Sequence, residues 1–492
     1  MTRVGGGLMK TVVTMMLGGW LAATISCPLF AKENAGDMAI AKQIKLNTSN
    51  IPMELPPPAM VPGDLNGDGQ LDWVFFQGTR LVRAYDNNGT ELWTLIRKDG
   101  TYHPRPEYPG NSVVWDMDGD GKDEVICTLA TPGGAGTYDV LILDGGTGAV
   151  KHSRTIPYSR NGAHLVIAYM TDEPYIILKA DNINSKKNPW PSMTGAESGG
   201  QAWAFDKDLN SLWQTKCPHG GHFYYPYDLD GDGFHELVAG KYFLDADGKL
   251  IKTLPMRNDH VDSLFCGDIH PDHPGMEICT VGATGINLFN YSANSVIWNF
   301  SGKEKEKLHT PNPQQVFGGE LDSGRPGLEI LAEPRNSEKD VDFRVCDHNG
   351  NILHKLKRNQ LPKGQRRQQL AGWWVMDYDG DRRQDEVLAG DGTVRNLANN
   401  TIINDASWLP ADAGTFTLYP QPRDVIGDER EEIITWTHST LVIGKNTAPF
   451  AAGSIPSFRD NRDYRLRTVN WCFRGPVLFN FRKGRSSDNK RP

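Results

Sequence analysis

Short apolar segments alternate with Asp- and Gly-rich loops along most of this chain. After the acidic loop that begins at Asp64 come three apolar runs, at residues 73–76, 81–85 and 91–95, with a turn at 87–89. Short apolar runs bounded by Gly, Asn and Asp are typical of antiparallel strands joined by hairpins. A further strand fits before each acidic loop, so the pattern predicts four strands per unit.

This unit recurs along the chain. Close copies of the acidic loop begin at Asp64, Asp116, Asp228 and Asp377, weaker copies begin at Asp268, Glu320 and Asp424, and a degenerate copy lies near Met170. The copies are spaced by about 50 residues, which is the length of a four-stranded propeller blade. The sequence therefore predicts an all-β fold, an eight-bladed β-propeller of four-stranded antiparallel blades. Seven blades are the alternative if one weak copy is a loop elaboration.

The N-terminus has the features of a secretion signal. Arg3 and Lys10 precede the apolar segment 11–26, and a cleavage site follows at Ala31. We expect export, to a secreted or periplasmic location, with an uncleaved anchor as the alternative. The predicted organisation is a signal peptide, an N-terminal linker, the β-propeller and a C-terminal extension with a tail, at residues 1–31, 32–49, 50–470 and 471–492.

Charge and composition exclude two classes of partner, nucleic acids and membranes. The chain has 60 acidic and 52 basic residues and a net charge of −8, so a nucleic acid is not an expected partner. Beyond the N-terminus there is no apolar run of bilayer-spanning length, so we expect no membrane association after signal removal. We also expect the protein to be a monomer. Six cysteines follow the signal, and an even number in an exported protein permits disulfides.

The acidic loops carry oxygen ligands at positions 1, 3, 5 and 9. Such a set resembles the first part of a calcium-binding loop, so we expect structural Ca²⁺ in at least one of them. The alternative is an Asp/Gly turn whose carboxylates bind only their own backbone amides. The candidate ligands are Asp64, Asn66, Asp68, Asp72, Asp116, Asp118, Asp120, Glu124, Asp228, Asp230, Asp232, Glu236, Asp377, Asp379, Asp381 and Asp385.

A second set of residues precedes the predicted innermost strands, on the face opposite the acidic loops. Histidine transfers protons near neutral pH and arginine binds carboxylates with two hydrogen bonds, so this face predicts an anionic ligand. For each single histidine the alternative is a loop residue that caps backbone groups. The set contains His103, Arg105, Tyr108, Asn161, His164, His222, Tyr224, Arg257, Asn258, His260, His309 and Asn312.

Cys217, His219 and His222 form a separate candidate constellation. A thiolate and two imidazoles at this spacing could hold Zn²⁺ if a fourth ligand came from elsewhere. The sequence offers no second Cys/His pair nearby. Structural loop residues are therefore the favoured interpretation.

Five stretches carry a resemblance to a known family. They are HFYYPYDLDGDG from His222, NDHVDS from Asn258, GDIHPDHPGMEI from Gly267, GELDSGRPGLEI from Gly319 and DYRLR from Asp463. With them the chain resembles the β-propeller polysaccharide lyases. These are the rhamnogalacturonan lyases of polysaccharide lyase family 11 and relatives that act on ulvan and other rhamnose–uronate polymers.

The resemblance implies β-elimination at the C4–O bond of a uronate in an anionic polysaccharide. Such a reaction needs a group that neutralises the uronate carboxylate, a base for the C5 proton and an acid for the leaving oxygen. His222 and His260 are the candidate base and acid, Tyr224 is an alternative proton donor, and Arg105 and Arg257 are candidate carboxylate neutralisers. His164 completes the catalytic set. Substrate contacts are assigned to His103, Tyr108, Asn161, Asn258, His309 and Asn312.

Two other functions are compatible with the fold. The first is a non-catalytic propeller that binds carbohydrate or protein, since acidic-loop repeats also occur in adhesion modules. The second is a glycoside hydrolase, which would usually need two carboxylates beside the sugar bond. The predicted face is richer in His and Arg than in paired carboxylates, which favours the lyase.

Overall fold

The structure is a computed structural model with side chains. It describes residues 38–470 except 54–56, 102–111, 134–136, 157–162, 181–198, 219–220, 222, 257–260, 283–284, 301–312, 314, 323, 334–342, 357–373, 381–384, 390–391, 399–400, 406–408, 410–420, 429 and 450–460. Residues 1–37 and 471–492, which include the predicted signal peptide and tail, also lie outside the described part.

Eight four-stranded antiparallel sheets form the blades of a ring, so the predicted eight-bladed propeller is confirmed. In blades 1 to 4 the strands are β2 (Ala59–Gly63), β3 (Asp72–Gln77), β4 (Leu81–Tyr85) and β5 (Glu91–Ile96); β6 (Ser112–Trp115), β7 (Glu124–Ala130), β8 (Tyr138–Leu143) and β9 (Val150–Ile156); β10 (Ala163–Ala168), β11 (Tyr175–Ala180), β12 (Gly199–Phe205) and β13 (Ser211–Pro218); β14 (Tyr224–Tyr227), β15 (Glu236–Ala239), β16 (Tyr242–Leu244) and β17 (Leu250–Thr253).

Blades 5 to 8 repeat this arrangement. Their strands are β18 (Val261–Gly267), β19 (Glu277–Gly282), β20 (Gly285–Asn290) and β21 (Ser295–Phe300); β22 (Gln315–Gly319), β23 (Glu329–Glu333), β24 (Phe343–Cys346) and β25 (Ile352–Leu356); β26 (Trp374–Met376), β27 (Glu386–Leu388), β28 (Val394–Asn396) and β29 (Thr401–Asn404); β30 (Gln421–Arg423), β31 (Glu432–Trp436) and β32 (Thr440–Asn446), with β1 (Met38–Lys45).

Burial falls from the centre of the ring to its rim. In blade 1, every residue of β2, β3 and β4 is buried, whereas β5 is half-buried or exposed. The first strands of consecutive blades pack together, for example β2 with β6 and β6 with β10. The first strand of each blade is therefore the innermost, and the apolar core lies between neighbouring sheets. Every acidic loop, which connects a first strand to a second, consequently lies on the same face.

The eighth blade is built from both ends of the chain. β1 pairs with β32 in antiparallel register, with Ile44 opposite Leu441. The predicted linker 32–49 therefore contains a strand of the propeller, and the start of the propeller moves from residue 50 to at least residue 38. The linker prediction failed because the acidic-loop repeat, from which the blades were counted, begins only at Asp64.

A short helix, α1 (Arg462–Val469), lies at the centre of the acidic-loop face. Asn461 caps its N-terminus by accepting hydrogen bonds from the backbone of Asp463 and Tyr464. The helix packs on the innermost strands β2, β6 and β10. The side chain of Asn470, directly after the helix, donates to and accepts from the backbone of Ile167 at 2.8 Å each. The helix thus contacts several blades at once from the axis of the ring.

Outer-strand tryptophans join alternate pairs of blades. The indole N–H of Trp93 donates to the carbonyl of Gly145 at 2.7 Å, that of Trp213 to Ala246 at 2.8 Å, and that of Trp298 to His348 at 2.8 Å. Each acceptor lies in the turn between the third and fourth strands of the next blade. Each of these tryptophans thereby fastens its blade to the next one at the rim.

Five described cysteines are buried free thiols, at Cys127, Cys217, Cys266, Cys279 and Cys346. Within the described part of the chain the disulfides that the sequence permits are therefore not formed. Among the same residues, the structure contains no helix with the length and apolar character needed to cross a membrane.

Candidate functional site

The acidic loops wrap their own backbone around the first carboxylate. Asp64 accepts from the backbone amides of Gly67 and Asp68 through Oδ1, at 2.8 and 3.1 Å, and from Gly69 through Oδ2 at 2.8 Å. Asp228 likewise accepts from the amides at 231 and 233, at 2.7 and 3.1 Å. Part of each loop therefore follows the turn interpretation, because its carboxylates satisfy backbone donors.

The ninth loop position has a second structural role. Glu236 accepts a hydrogen bond from the backbone amide of Leu229 at 2.9 Å, and Glu124 accepts one from Met117 at the same distance. Burial raises the pKa of Glu236 to about 7, and the nearby charges of Asp230 and Asp228 contribute to this rise. A cation in this loop would relieve that repulsion.

Among the residues that the structure describes, three loops have carboxylate oxygens within 4.8 Å of one another. The sets are Asp116, Asp118 and Glu124; Asp228, Asp230 and Glu236; and Asp377, Asp379 and Glu386. The third set contains Glu386 where the sequence analysis named Asp385 as the candidate ligand. This loop is one residue longer, so it is Glu386 that accepts from the backbone amide of Tyr378, at 3.0 Å. Asp381, also a predicted ligand, lies outside the described residues.

The acidic loop of blade 2, which begins at Asp116, already contacts a cationic side chain. Lys151 Nζ lies 2.7 Å from Asp118 Oδ2 and 2.8 Å from Glu124 Oε1. Burial lowers the pKa of Lys151, but its two hydrogen bonds to these carboxylates outweigh the effect and raise the pKa overall. In the loop of blade 2 the ammonium group of Lys151 therefore neutralises part of the negative charge. In the loop of blade 4 a metal ion would have that role.

Most of the predicted Arg/His set belongs to the connections between blades. These connections lie on the face opposite the acidic loops, because each one leads from a fourth strand to the next innermost strand. His164 and Tyr224 are described. Residues of the set that lie outside the described part are His103, Arg105, Tyr108, Asn161, His222, Arg257, Asn258, His260, His309 and Asn312.

The backbone brings together Gly221 and Val261, the described neighbours of His222 and His260 in the sequence. Gly221 has a φ of +72°, and a Cβ atom there would lie 2.9 Å from the carbonyl oxygen of Val261. Gly221 directly precedes His222, and Val261 directly follows His260. The chain therefore places the two segments against each other at the start of blades 4 and 5.

His164 is a buried neutral imidazole. It lies near the start of β10, only 5% exposed, with its ring 4.8 Å from that of Phe223 in an edge-to-face arrangement. Burial lowers its pKa to about 3, and the positive charge of Lys179 lowers it further. Neither ring nitrogen makes a hydrogen bond to a residue that the structure describes. Such an imidazole is unprotonated at neutral pH.

Tyr224 begins β14, and its side chain is fully buried. Its hydroxyl interacts with the thiol of Cys217, and burial, together with that thiol, raises the pKa of Tyr224 well above its usual value. Burial also raises the pKa of the Cys217 thiol to about 11. A thiol that resists ionisation is a poor zinc ligand. His219 and His222, the other members of that candidate site, lie outside the described residues.

Lys179 is the described residue of this region that the sequence analysis missed. It lies in β11 opposite His164, has no exposed surface, and donates a hydrogen bond from Nζ to the carbonyl of Gly221. Its ammonium group also lies 5.2 Å from the centre of the Tyr224 ring. A lysine within the otherwise apolar run 175–180 was the available signal, because lysine is rarely buried without a specific partner.

Comparison with known proteins identifies the family. The family model described as the C-terminal domain of rhamnogalacturonan lyase family 11 matches residues 196–475, more than half of the chain. The rhamnogalacturonan endolyase YesW of Bacillus subtilis (strain 168) is 24% identical over 461 residues, which cover 79% of this chain and 67% of the relative. The exolyase YesX of the same organism is 21% identical over 464 residues, covering 77% and 69%.

Solved structures show the same fold. The crystal structure of YesW has a TM-score of 0.63 at 19% identity, covering 86% of this chain and 79% of that one. A Bacillus licheniformis rhamnogalacturonan lyase has a TM-score of 0.64 at 19% identity, covering 86% and 77%. The family match includes the segments of His222 and His260, blades 4 to 7 in full, the strands β30 to β32 of blade 8, and α1. The chain belongs to rhamnogalacturonan lyase family 11, and is thus a polysaccharide lyase of the β-propeller type.

Proposed function

We propose that this protein cleaves a rhamnogalacturonan-type polymer by β-elimination at the C4–O bond of its uronate residues. The observation that carries the proposal is the family match over residues 196–475. The contact of Gly221 with Val261 supports it, because this contact brings the segments of His222 and His260 together. An elimination needs its base and acid near a single sugar bond.

The chemistry assigns a role to each type of side chain. A uronate C5 proton becomes acidic once the carboxylate is neutralised, and arginine can do this with two hydrogen bonds. Arg105 and Arg257 are our candidates for that role. His222 or His260 then removes the C5 proton, and the other histidine protonates the leaving oxygen at C4. The product is a 4,5-unsaturated uronate, formed without water.

The described residues restrict these roles. His164 is neutral and buried against Phe223, the residue that follows His222 in the sequence. Tyr224 is fully buried beside Cys217. Side chains with so little exposed surface do not reach a sugar bound on the face opposite the acidic loops. We therefore favour His222 and His260 over Tyr224 as the proton-transfer pair.

We propose structural Ca²⁺ in the acidic loops, chiefly in blade 4. Asp228, Asp230 and Glu236 would hold it, because their oxygens converge and because burial and mutual repulsion raise the pKa of Glu236. Carboxylates in such a set suit a hard cation. The ion would stabilise the loop and has no assigned step in the elimination, which we place on the opposite face.

We also propose that the protein is exported, to a secreted or periplasmic location, and that it is a monomer. Arg3, Lys10 and the apolar segment 11–26 support the export signal. A polymer-degrading enzyme needs access to a substrate too large to enter a cell. Light scattering coupled to size exclusion would test the monomer, and sequencing of the N-terminus of the exported protein would test cleavage after Ala31.

The test of the activity is a product assay. The protein would be incubated with rhamnogalacturonan, and with ulvan as a comparison polymer, while the ultraviolet absorbance of the unsaturated uronate is followed. We expect absorbance to rise with rhamnogalacturonan, and to rise much more slowly, at a small residual rate, in His222→Ala and His260→Ala. Chain shortening without absorbance would indicate a hydrolase, and binding without cleavage a carbohydrate-binding propeller. Either result would overturn the proposal.

A further inference from the structure

A buried lysine holds the backbone immediately before the proposed catalytic histidine. Lys179 Nζ donates to the carbonyl of Gly221, the residue that precedes His222. Lys179 is entirely buried although it belongs to the side-chain type that is most costly to bury. Its position in β11 is fixed by the antiparallel pairing of that strand with both β10 and β12. The donor is therefore held on a rigid element and not on a loop.

The backbone on the other side of His222 is held as well. Phe223 is buried and packs its ring against the edge of His164, which lies opposite Lys179 in the β10–β11 register. Lys179 and His164 thus contact the two residues that flank His222. Tyr224 follows Phe223, and the Lys179 ammonium group lies over the face of its ring, 5.2 Å from the ring centre.

Gly221 has little room to move. Its φ of +72° suits glycine, and a Cβ atom there would meet the Val261 carbonyl at 2.9 Å and the Gly240 Cα at 3.4 Å. In this wedge the carbonyl of Gly221 is directed at the lysine. Loss of the lysine donor would leave a buried carbonyl without that bond, which favours rotation of the peptide group.

We propose that Lys179 is a positioning residue of the lyase: by its hydrogen bond to Gly221 it fixes the backbone that directly precedes the proposed catalytic His222. The inference rests on the proposed function of His222. Lys179 itself does not touch the substrate, because its ammonium group is occupied beneath the surface. The sequence could not assign this role, since Lys179 and Gly221 are 42 residues apart.

The experiment compares Lys179→Met with Lys252→Met. Methionine keeps the length and apolar volume of lysine but cannot donate. Lys252 is a matched control, since its Nζ donates to the Tyr291 carbonyl at 2.5 Å and lies 3.7 Å from the Tyr291 ring centre. It belongs to the outer strand of blade 4. We expect Lys179→Met to lower kcat on rhamnogalacturonan by about 100-fold with KM within about twofold, and Lys252→Met to leave kcat unchanged.

A double variant separates positioning from direct action. If Lys179 acts through His222, adding Lys179→Met to His222→Ala lowers the residual rate no further. Multiplicative losses, or a large rise of KM with an unchanged kcat, would show that Lys179 acts on the substrate directly and would overturn the proposal. An unchanged kcat in Lys179→Met would overturn it as well.

A readout without activity keeps this inference separate from the proposed function. Hydrogen exchange of the peptide around residues 218–226 is expected to be faster in Lys179→Met than in the wild type and unchanged in Lys252→Met. If the wild type produced no unsaturated uronate, the lyase proposal would fail, whereas the exchange result would still decide whether Lys179 orders this segment. Unchanged exchange there would contradict the positioning role.

Discussion

The hydroxyl of Tyr464 in α1 donates a hydrogen bond to Oε1 of Glu431, the residue directly before the second strand of blade 8, at 2.9 Å. The same hydroxyl accepts from the backbone amide of Asp424 at 2.9 Å. Arg467 also donates to Glu431, and to the carbonyl of Pro422. All three side chains of this group, Tyr464, Arg467 and Glu431, are buried. The helix is therefore fastened to the innermost strand of the closing blade by a charged, desolvated network.

Removing the Tyr464 hydroxyl should weaken this attachment. Tyr464→Phe leaves the Asp424 amide without its acceptor and Glu431 without one donor, so we expect a loss of about 1–3 kcal/mol in the free energy of unfolding. Denaturant unfolding would measure it. Tyr175→Phe, at a half-buried tyrosine in β11, is the control and should change stability by less than about 0.5 kcal/mol. Equal effects of the two substitutions would contradict the network.

Two glycines with positive φ should respond very differently to alanine. Gly248 has a φ of +73°, and a Cβ there would lie 2.4 Å from the Trp213 ring, whereas Gly233 has a φ of +95° with nothing within 4 Å. Gly233→Ala should cost about 1 kcal/mol through backbone strain alone. Gly248→Ala should cost about 3 kcal/mol, because it also displaces the Trp213 ring. Similar melting temperatures for the two variants would disprove the blade-to-blade packing described here.

The acidic loops of blades 2 and 4 should differ in their need for metal. Lys151 neutralises the blade 2 loop, so Lys151→Met should increase the number or affinity of bound Ca²⁺ ions. Asp230→Asn should decrease it, because Asp230 belongs to the loop where burial and charge repulsion raise the pKa of Glu236. Calcium titration calorimetry on chelator-treated protein would measure both. Equal calcium binding by the wild type and both variants would contradict the proposed sites.

His164 should make stability depend on acid. Its folded-state pKa of about 3 lies below the unfolded value of about 6.5, so the unfolded chain binds a proton that the folded chain does not. The folded chain keeps the full benefit of the neutral ring above pH 6.5 and loses it as the pH falls toward 3. The loss in the free energy of unfolding reaches about 2 kcal/mol at pH 5. In His164→Gln the stability loss between pH 7.5 and 5 should be smaller by that amount. His152→Gln, at a partly exposed histidine, controls for the loss of an imidazole ring. An unchanged pH dependence in His164→Gln would contradict the burial of a neutral ring.

The repeat was sufficient to predict the blades because each acidic loop marks a first-to-second strand turn. Even the degenerate copy near Met170 is followed by β11. The closing strand could not be predicted in this way, since β1 precedes the first acidic loop and resembles a polar linker. Its burial pattern is mostly exposed or intermediate, because it is an outermost strand.

The sequence was sufficient to predict which face of the propeller carries the candidate site, but not which buried residues hold its backbone in place. Topology alone assigned the Arg/His residues to the connections opposite the acidic loops, because strand direction alternates within a blade. Lys179 was not predictable, since its partner Gly221 is brought to it only by the packing of blade 3 against blade 4. Glu386, and not the predicted Asp385, converges with Asp377 and Asp379, because one extra loop residue shifts the inward-facing position.

The pairing of β1 with β32 also fixes the order in which the molecule can be completed. Ile44 and Leu441 are joined although almost the whole chain lies between them. During synthesis, the backbone of β1 has no strand to pair with until β32 has emerged from the ribosome, although side chains such as Lys42 have partners in blade 1. The loop-closure entropy for such a separation is unfavourable, and it is overcome by the β1–β32 pairing together with contacts of blade 8 with blade 1, such as the hydrogen bond from Trp436 Nε1 to the Pro58 carbonyl at 2.8 Å. A permuted gene that places residues 38–53 after residue 446 would turn this last, long-range step into a local hairpin.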